Sequence, residues 1–115
     1  HIYEARGAAK SIQDNRLNTH ASRECSSACT LLFAAGRKRS LAPGAKIGFH
    51  QYALSFGNSL PNLDLQKEQE KDLAFFQSQG VKLPFLKRMF QHSSKTLWYP
   101  DYQELIDSGF LNSPH

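Results

Sequence analysis

The amino-acid sequence predicts an α/β domain, on three observations. Stretches with helical spacing alternate with stretches of strand character. A run of small and apolar residues closing on Gly36 has the make-up of a buried helix. Gly and Pro fall where elements should stop or start. The 115 residues, 40% of them hydrophobic, suit a single domain over residues 1–115.

Each element follows from its residues. Tyr3 to Gln13 sets Ala5, Ala8, Ala9 and Ile12 on one face and Glu4, Arg6, Lys10 and Gln13 elsewhere, the pattern of an amphipathic helix ending near Asp14 and Asn15. Thr19 to Glu24 reads as one short strand of little apolar character. Ser27 to Ala35 reads as a buried helix beginning at a serine and stopped by Gly36. The triplet Arg37, Lys38, Arg39, between Gly36 and Pro43-Gly44, reads as a solvated turn rather than a phosphate or nucleic-acid contact. Ala45 to Tyr52 predicts a strand with Ile47 and Phe49 on one face and His50 and Tyr52 on the other. A loop over Ser55 to Asn62 leads to a long helix from Leu63 to Ser78 with a charged outer face. Gly80 breaks that helix, Pro84 starts another through Gln91, and Pro100-Asp101 introduces a last one ending at Gly109.

Several function classes are excluded. No apolar run approaches the roughly 20 residues of a membrane span. The net charge of +4 is scattered, and no nucleic-acid-binding signature accompanies it. Cys25 and Cys29 are too few soft ligands for a metal, and no His pair stands at zinc spacing nearby, so no metal is expected. Their spacing favours packed thiols flanking a tight turn over a bridge, and the redox compartment stays open. His1 opens the chain without an initiator methionine, as in a fragment or processed chain.

One segment carries chemistry. Cys25-Ser26-Ser27-Ala28-Cys29 stands between a strand and a helix, so one serine falls where unpaired backbone N–H groups can stabilise an oxyanion. The ordinary role of such a serine is to cap the helix. Gly48-Phe49-His50-Gln51 adds a histidine on the next strand. The remaining singled-out residues have structural readings. His20, His92 and His115 read as exposed or local. Trp98-Tyr99-Pro100 reads as a packing anchor, and Phe75, Phe76, Phe85 and Phe90 as helix faces buried in the core or against a second subunit.

Together the two segments resemble the ClpP/crotonase-like superfamily, in particular bacterial ClpP-like serine hydrolases of unassigned substrate. Ser27-Ala28-Cys29-Thr30-Leu31-Leu32-Phe33-Ala34-Ala35-Gly36 is similar to the family's nucleophile segment, and Ile47-Gly48-Phe49-His50-Gln51 to its histidine strand. Arg39 to Gly44 resembles the turn between them, and Glu104 to Leu111 the closing helix and strand. The resemblance implies a β-α superhelical domain lacking its N-terminal strand and glycine loop. It implies a peptidase-like serine hydrolase acting on a peptide or other acyl substrate without metal or organic cofactor, with a possible homo-oligomer; the location, periplasm or cytoplasm, stays open. Ser27 would be the nucleophile, with Ser26 its turn neighbour, His50 the general base and the Ala28 N–H an oxyanion donor.

The pattern departs at the third catalytic position. The family's Asp falls at Thr96 or Leu97 here. Thr96 could orient His50 through its hydroxyl; Asp101 is the acidic alternative, but Asp101 to Glu104 has the spacing of a capping box. The rival reading is therefore a catalytically weak or inactive ClpP-like binding or assembly module. An acyl-thioester enzyme like other crotonases is a third.

Overall fold

In the computed structural model the chain is described over residues 2–49, 65–89 and 97–113. Within these segments the elements are α1 (Ile2–Asp14), β1 (Thr19–Ala21), β2 (Glu24–Ser26), α2 (Cys29–Ala34), β3 (Arg39–Leu41), β4 (Lys46–Gly48), α3 (Leu65–Ser78), α4 (Leu83–Met89) and α5 (Tyr102–Ser108). They form a small mixed α/β domain with short parallel strands.

The strand expected over Thr19 to Glu24 is two strands bent apart at Ser22 and Arg23. β1 pairs with β3, Thr19 opposite Arg39, and β2 pairs with β4, Glu24 opposite Lys46. Both pairs are parallel, because α2 returns the chain to the same end before β3 begins. The turn at Pro43 and Gly44, where Gly44 takes φ 83°, breaks the second strand opposite the bend in the first. The chain therefore contributes one strand to each of two small two-stranded sheets before α2 and another to each after it. β3 was not expected as a strand.

The core forms where α2, β4 and the C-terminal helices meet. Phe110, fully buried, stacks on Phe33 at 5.5 Å between ring centroids and meets Phe49 edge-on at 5.2 Å. Phe76, Phe85, Leu86, Met89 and Leu105 complete it, so the expected burial of Phe76 and Phe85 holds, while Phe90 lies outside the described residues. Trp98 packs on Phe49 and Phe85, as an anchor should.

Two charged groups reverse their expected placement. In the expected solvated turn Arg37 and Lys38 are exposed, but Arg39 is only 4% exposed. Its guanidinium donates to the carbonyl oxygens of Gly36 (2.9 Å), Gln79 (3.0 Å), Gly109 (2.8 Å) and Phe110 (2.7 Å). These carbonyls lie just beyond the C-terminal ends of α2, α3 and α5, where unpaired carbonyls and the negative ends of the helices collect. One buried cation thus ties three helix ends together. Desolvation pushes its pKa down from the usual arginine value.

The second reversal is on α3. On this helix, expected to carry a charged outer face with Leu65, Asp72 and Phe76 on neighbouring stripes, Asp72 is buried with Phe76 and Glu68 is buried as well. Arg6 of α1 donates to Glu68 at 2.6 Å and to both Asp72 oxygens at 2.9 and 3.2 Å, and Lys71 reaches Glu68 at 3.1 Å. A buried carboxylate needs such a partner. The apolar face of α1 is correspondingly narrow: Ala5 and Ala9 are buried, but Ala8 is exposed and Ile12 half-buried.

Candidate functional site

The turn between β2 and α2 is the centre of the site. The helix expected to start at Ser27 begins at Cys29, with Ala28 as N-cap and no side chain capping it. Ser27 takes φ 56°, the left-handed region that a non-glycine residue seldom adopts and that cannot continue into a helix. Its carbonyl is held by the Thr30 N–H at 3.0 Å and the Thr30 hydroxyl at 2.6 Å. Its own N–H donates to the Gly48 carbonyl at 3.4 Å. Ser27 is exposed at the head of this turn.

Cys25 and Cys29 are joined in a disulfide across the turn, with 5.3 Å between their Cα atoms, in place of the packed thiols expected. The four-residue spacing argues against a bridge only if both cysteines lie on one helix. Here the left-handed Ser27 folds the chain back, bringing the last part of β2 against the first residue of α2.

Ser26 does not cap the helix either. Its hydroxyl donates to Glu24 at 2.6 Å, and the Tyr99 hydroxyl donates to the same oxygen at 2.7 Å. Those two hydrogen bonds, the Ser26 one first, hold the Glu24 carboxyl below the usual carboxylate range, and donation to Glu24 raises the Tyr99 phenol above its ordinary value. Lys46 sits 4.5 Å above the Tyr99 ring. Gly48 makes this approach possible: a Cβ there would lie 2.8 Å from the Tyr99 ring and 3.0 Å from the Ser26 hydroxyl. None of this was visible in the sequence beyond Tyr99 standing beside Trp98.

The other expected site residues divide as follows. His50 and Thr96 lie outside the described residues, as do His92 and His115. The neighbours of the first two are described: Phe49 and Trp98 form an antiparallel bridge, with N–H to carbonyl distances of 2.9 and 2.7 Å in the two directions. Asp101 is the N-cap of α5, accepting from the Glu104 N–H at 2.8 Å while Glu104 accepts from its N–H at 3.0 Å, so the capping box forms as its spacing predicts. His20, read as exposed or local, has a cross-strand partner: its Nδ1 is 2.8 Å from the Ser40 hydroxyl, the pair set by the β1–β3 register. Among the described residues no helix is long and apolar enough to cross a membrane.

Searches against protein-family models and against curated proteins find no match to this chain.

Proposed function

We propose that the protein is a serine hydrolase with a ClpP/crotonase-like fold, cleaving a peptide or other acyl bond with Ser27 as nucleophile and His50 as general base. The observation that carries this reading is the pairing of the strand ends. β2 and β4 run parallel with Ser26 opposite Gly48, and the Ser27 N–H bonds the Gly48 carbonyl. Ser27 is the residue after β2, and His50 the second residue after β4. Each residue step is about 3.8 Å between Cα atoms, so chain connectivity keeps position 27 within one step, and position 50 within two steps, of the paired strand ends. The left-handed backbone at Ser27 adds to it, since sharp strand-to-helix turns lift a nucleophile clear of its sheet. A strand for each of two sheets, then α2, then a second strand for each, is the kind of unit a β-α superhelix repeats.

In this mechanism the Ser27 Oγ attacks the acyl carbon as His50 takes its proton. The Ala28 N–H donates to the tetrahedral oxyanion, His50 returns the proton to the leaving group, and water releases the acyl-enzyme by the same steps. Thr96 orients the imidazole. The test is labelling with a fluorophosphonate probe followed by peptide mapping. Phosphonylation at Ser27, abolished in Ser27→Ala, is expected; labelling at Ser26 or Ser40, or none, would overturn the reading.

One observation favours the second reading, a weak or inactive binding or assembly module. The Asp101 carboxylate accepts the capping hydrogen bond of α5, so the acidic alternative to Thr96 already has a structural partner. A histidine without an acidic orienter is a poorer base.

A further inference from the structure

We infer that the Cys25–Cys29 disulfide is a thiol-exchange site that controls the Ser27 turn, and that its reaction partner is a dithiol. Both cysteines line one groove of about 450 Å³, walled by residues 19–25 of the β1–β2 segment and by Leu32 and Phe33 of α2. The two cysteines differ in access. Cys25 is 3% exposed within the core, whereas Cys29 is exposed at the first position of α2. An incoming thiolate therefore meets the Cys29 sulfur first.

The thiolate bonds to the Cys29 Sγ, the Cys25–Cys29 bond breaks, and Cys25 leaves as a thiolate that takes a proton from solvent. The second thiol of the dithiol then loses its proton and attacks the sulfur already bound to Cys29. Cys29 is released and protonated, the dithiol is oxidised to its disulfide by two electrons, and the protein gains two thiols.

The consequence falls on the three residues enclosed by the bridge. Ser27, in the middle, holds a backbone conformation that L-residues avoid. The bridge keeps the two ends of this turn 5.3 Å apart. Once it opens, the turn loses its covalent tie while hydrogen bonds such as those from Thr30 to the Ser27 carbonyl remain, and Ser27 relaxes toward the conformations a serine prefers. The effect on reactivity rests on the assignment of Ser27 as nucleophile; the effect on the turn does not.

The experiment compares oxidised protein, protein reduced with dithiothreitol, and the double variant Cys25→Ser/Cys29→Ser. Reduction should speed amide hydrogen exchange over residues 26–31 by about tenfold, with α3 and α4 unchanged, and slow phosphonylation of Ser27 by about fivefold. The double variant should match the reduced protein under both conditions. 2-Mercaptoethanol, trapped by alkylation, should leave its adduct on Cys29. Unchanged exchange over residues 26–31, exchange that rises throughout the molecule, or an adduct on Cys25 overturns the inference. Absence of phosphonylation in both states, with exchange over 26–31 still responding, sinks the hydrolase assignment and leaves control of the turn standing. Equal phosphonylation in both states with unchanged exchange does the reverse.

Discussion

Replacing Arg39 with methionine keeps the aliphatic stem and removes every donor that meets the three helix ends. Four carbonyl oxygens, at 2.7 to 3.0 Å from the guanidinium, would lose a charged donor in a site that is 4% exposed. Hydrogen bonds to a charged group contribute roughly 1.5–3 kcal/mol each, but four on one side chain are not additive. Desolvation of the cation also offsets part of the sum. The net loss expected for Arg39→Met is about 3–5 kcal/mol, a large share of the roughly 5–15 kcal/mol that holds a domain folded. With a slope near 1.5 kcal/mol per molar urea, the midpoint followed by far-UV circular dichroism falls by about 2–3 M. Arg39→Lys keeps the charge but not the planar fork that spans separate carbonyls, and should lose about half as much. A midpoint for Arg39→Met within about 0.5 M of the parent would refute the account of how the helix ends are joined.

Two more outcomes follow from charge placement. Asp101→Ala removes the α5 cap and should cost about 1 kcal/mol in urea unfolding while leaving the phosphonylation rate of Ser27 unaltered; a large fall in that rate with intact folding would instead make Asp101 the group that orients His50. The carboxylates on α3 should act oppositely toward acid. Hydrogen bonding from Arg6, the largest cause, holds Glu68 below its usual value, so its stabilisation is present above the unfolded pKa and is lost as pH falls through the lower folded one. Burial, the largest cause at Asp72, raises that group, so protonation on the way down favours the folded state. Glu68→Gln should therefore shrink the drop in urea midpoint between pH 7 and about pH 3.5, and Asp72→Asn should enlarge it; the opposite order contradicts the assignment.

Local signals in the chain carried far. Asp101 with Glu104, and Gly109 after α5, announced the last helix at both ends, and the capping box and a left-handed Gly109 at φ 82° are found there. Pro43-Gly44 marked the break between β3 and β4. What stayed hidden depends on partners distant in sequence. Arg39 looks like one cation among three until α2, α3 and α5 all end around it, the last of them some 70 residues on. Glu68 looks like a surface charge, and Asp72 stands unexplained beside the Phe76 stripe, until Arg6, 62 and 66 residues earlier, is brought against them. At the site, the strand-to-helix turn was legible from composition and spacing, and of the strand expected over Ala45 to Tyr52 the part Lys46–Gly48 is found, while His50 lies outside the described residues. The disulfide was not, because its geometry follows from a backbone torsion at Ser27 that no residue type announces.

The cooperation of Ser27 with His50 is tested most directly by the second-order rate constant for phosphonylation of Ser27 in the parent protein and in His50→Gln. A general base supplies about 10²–10⁴ in rate, so the account predicts a fall of at least about 100-fold with the urea midpoint unchanged. A His50→Gln protein that reacts within about threefold of the parent would contradict it.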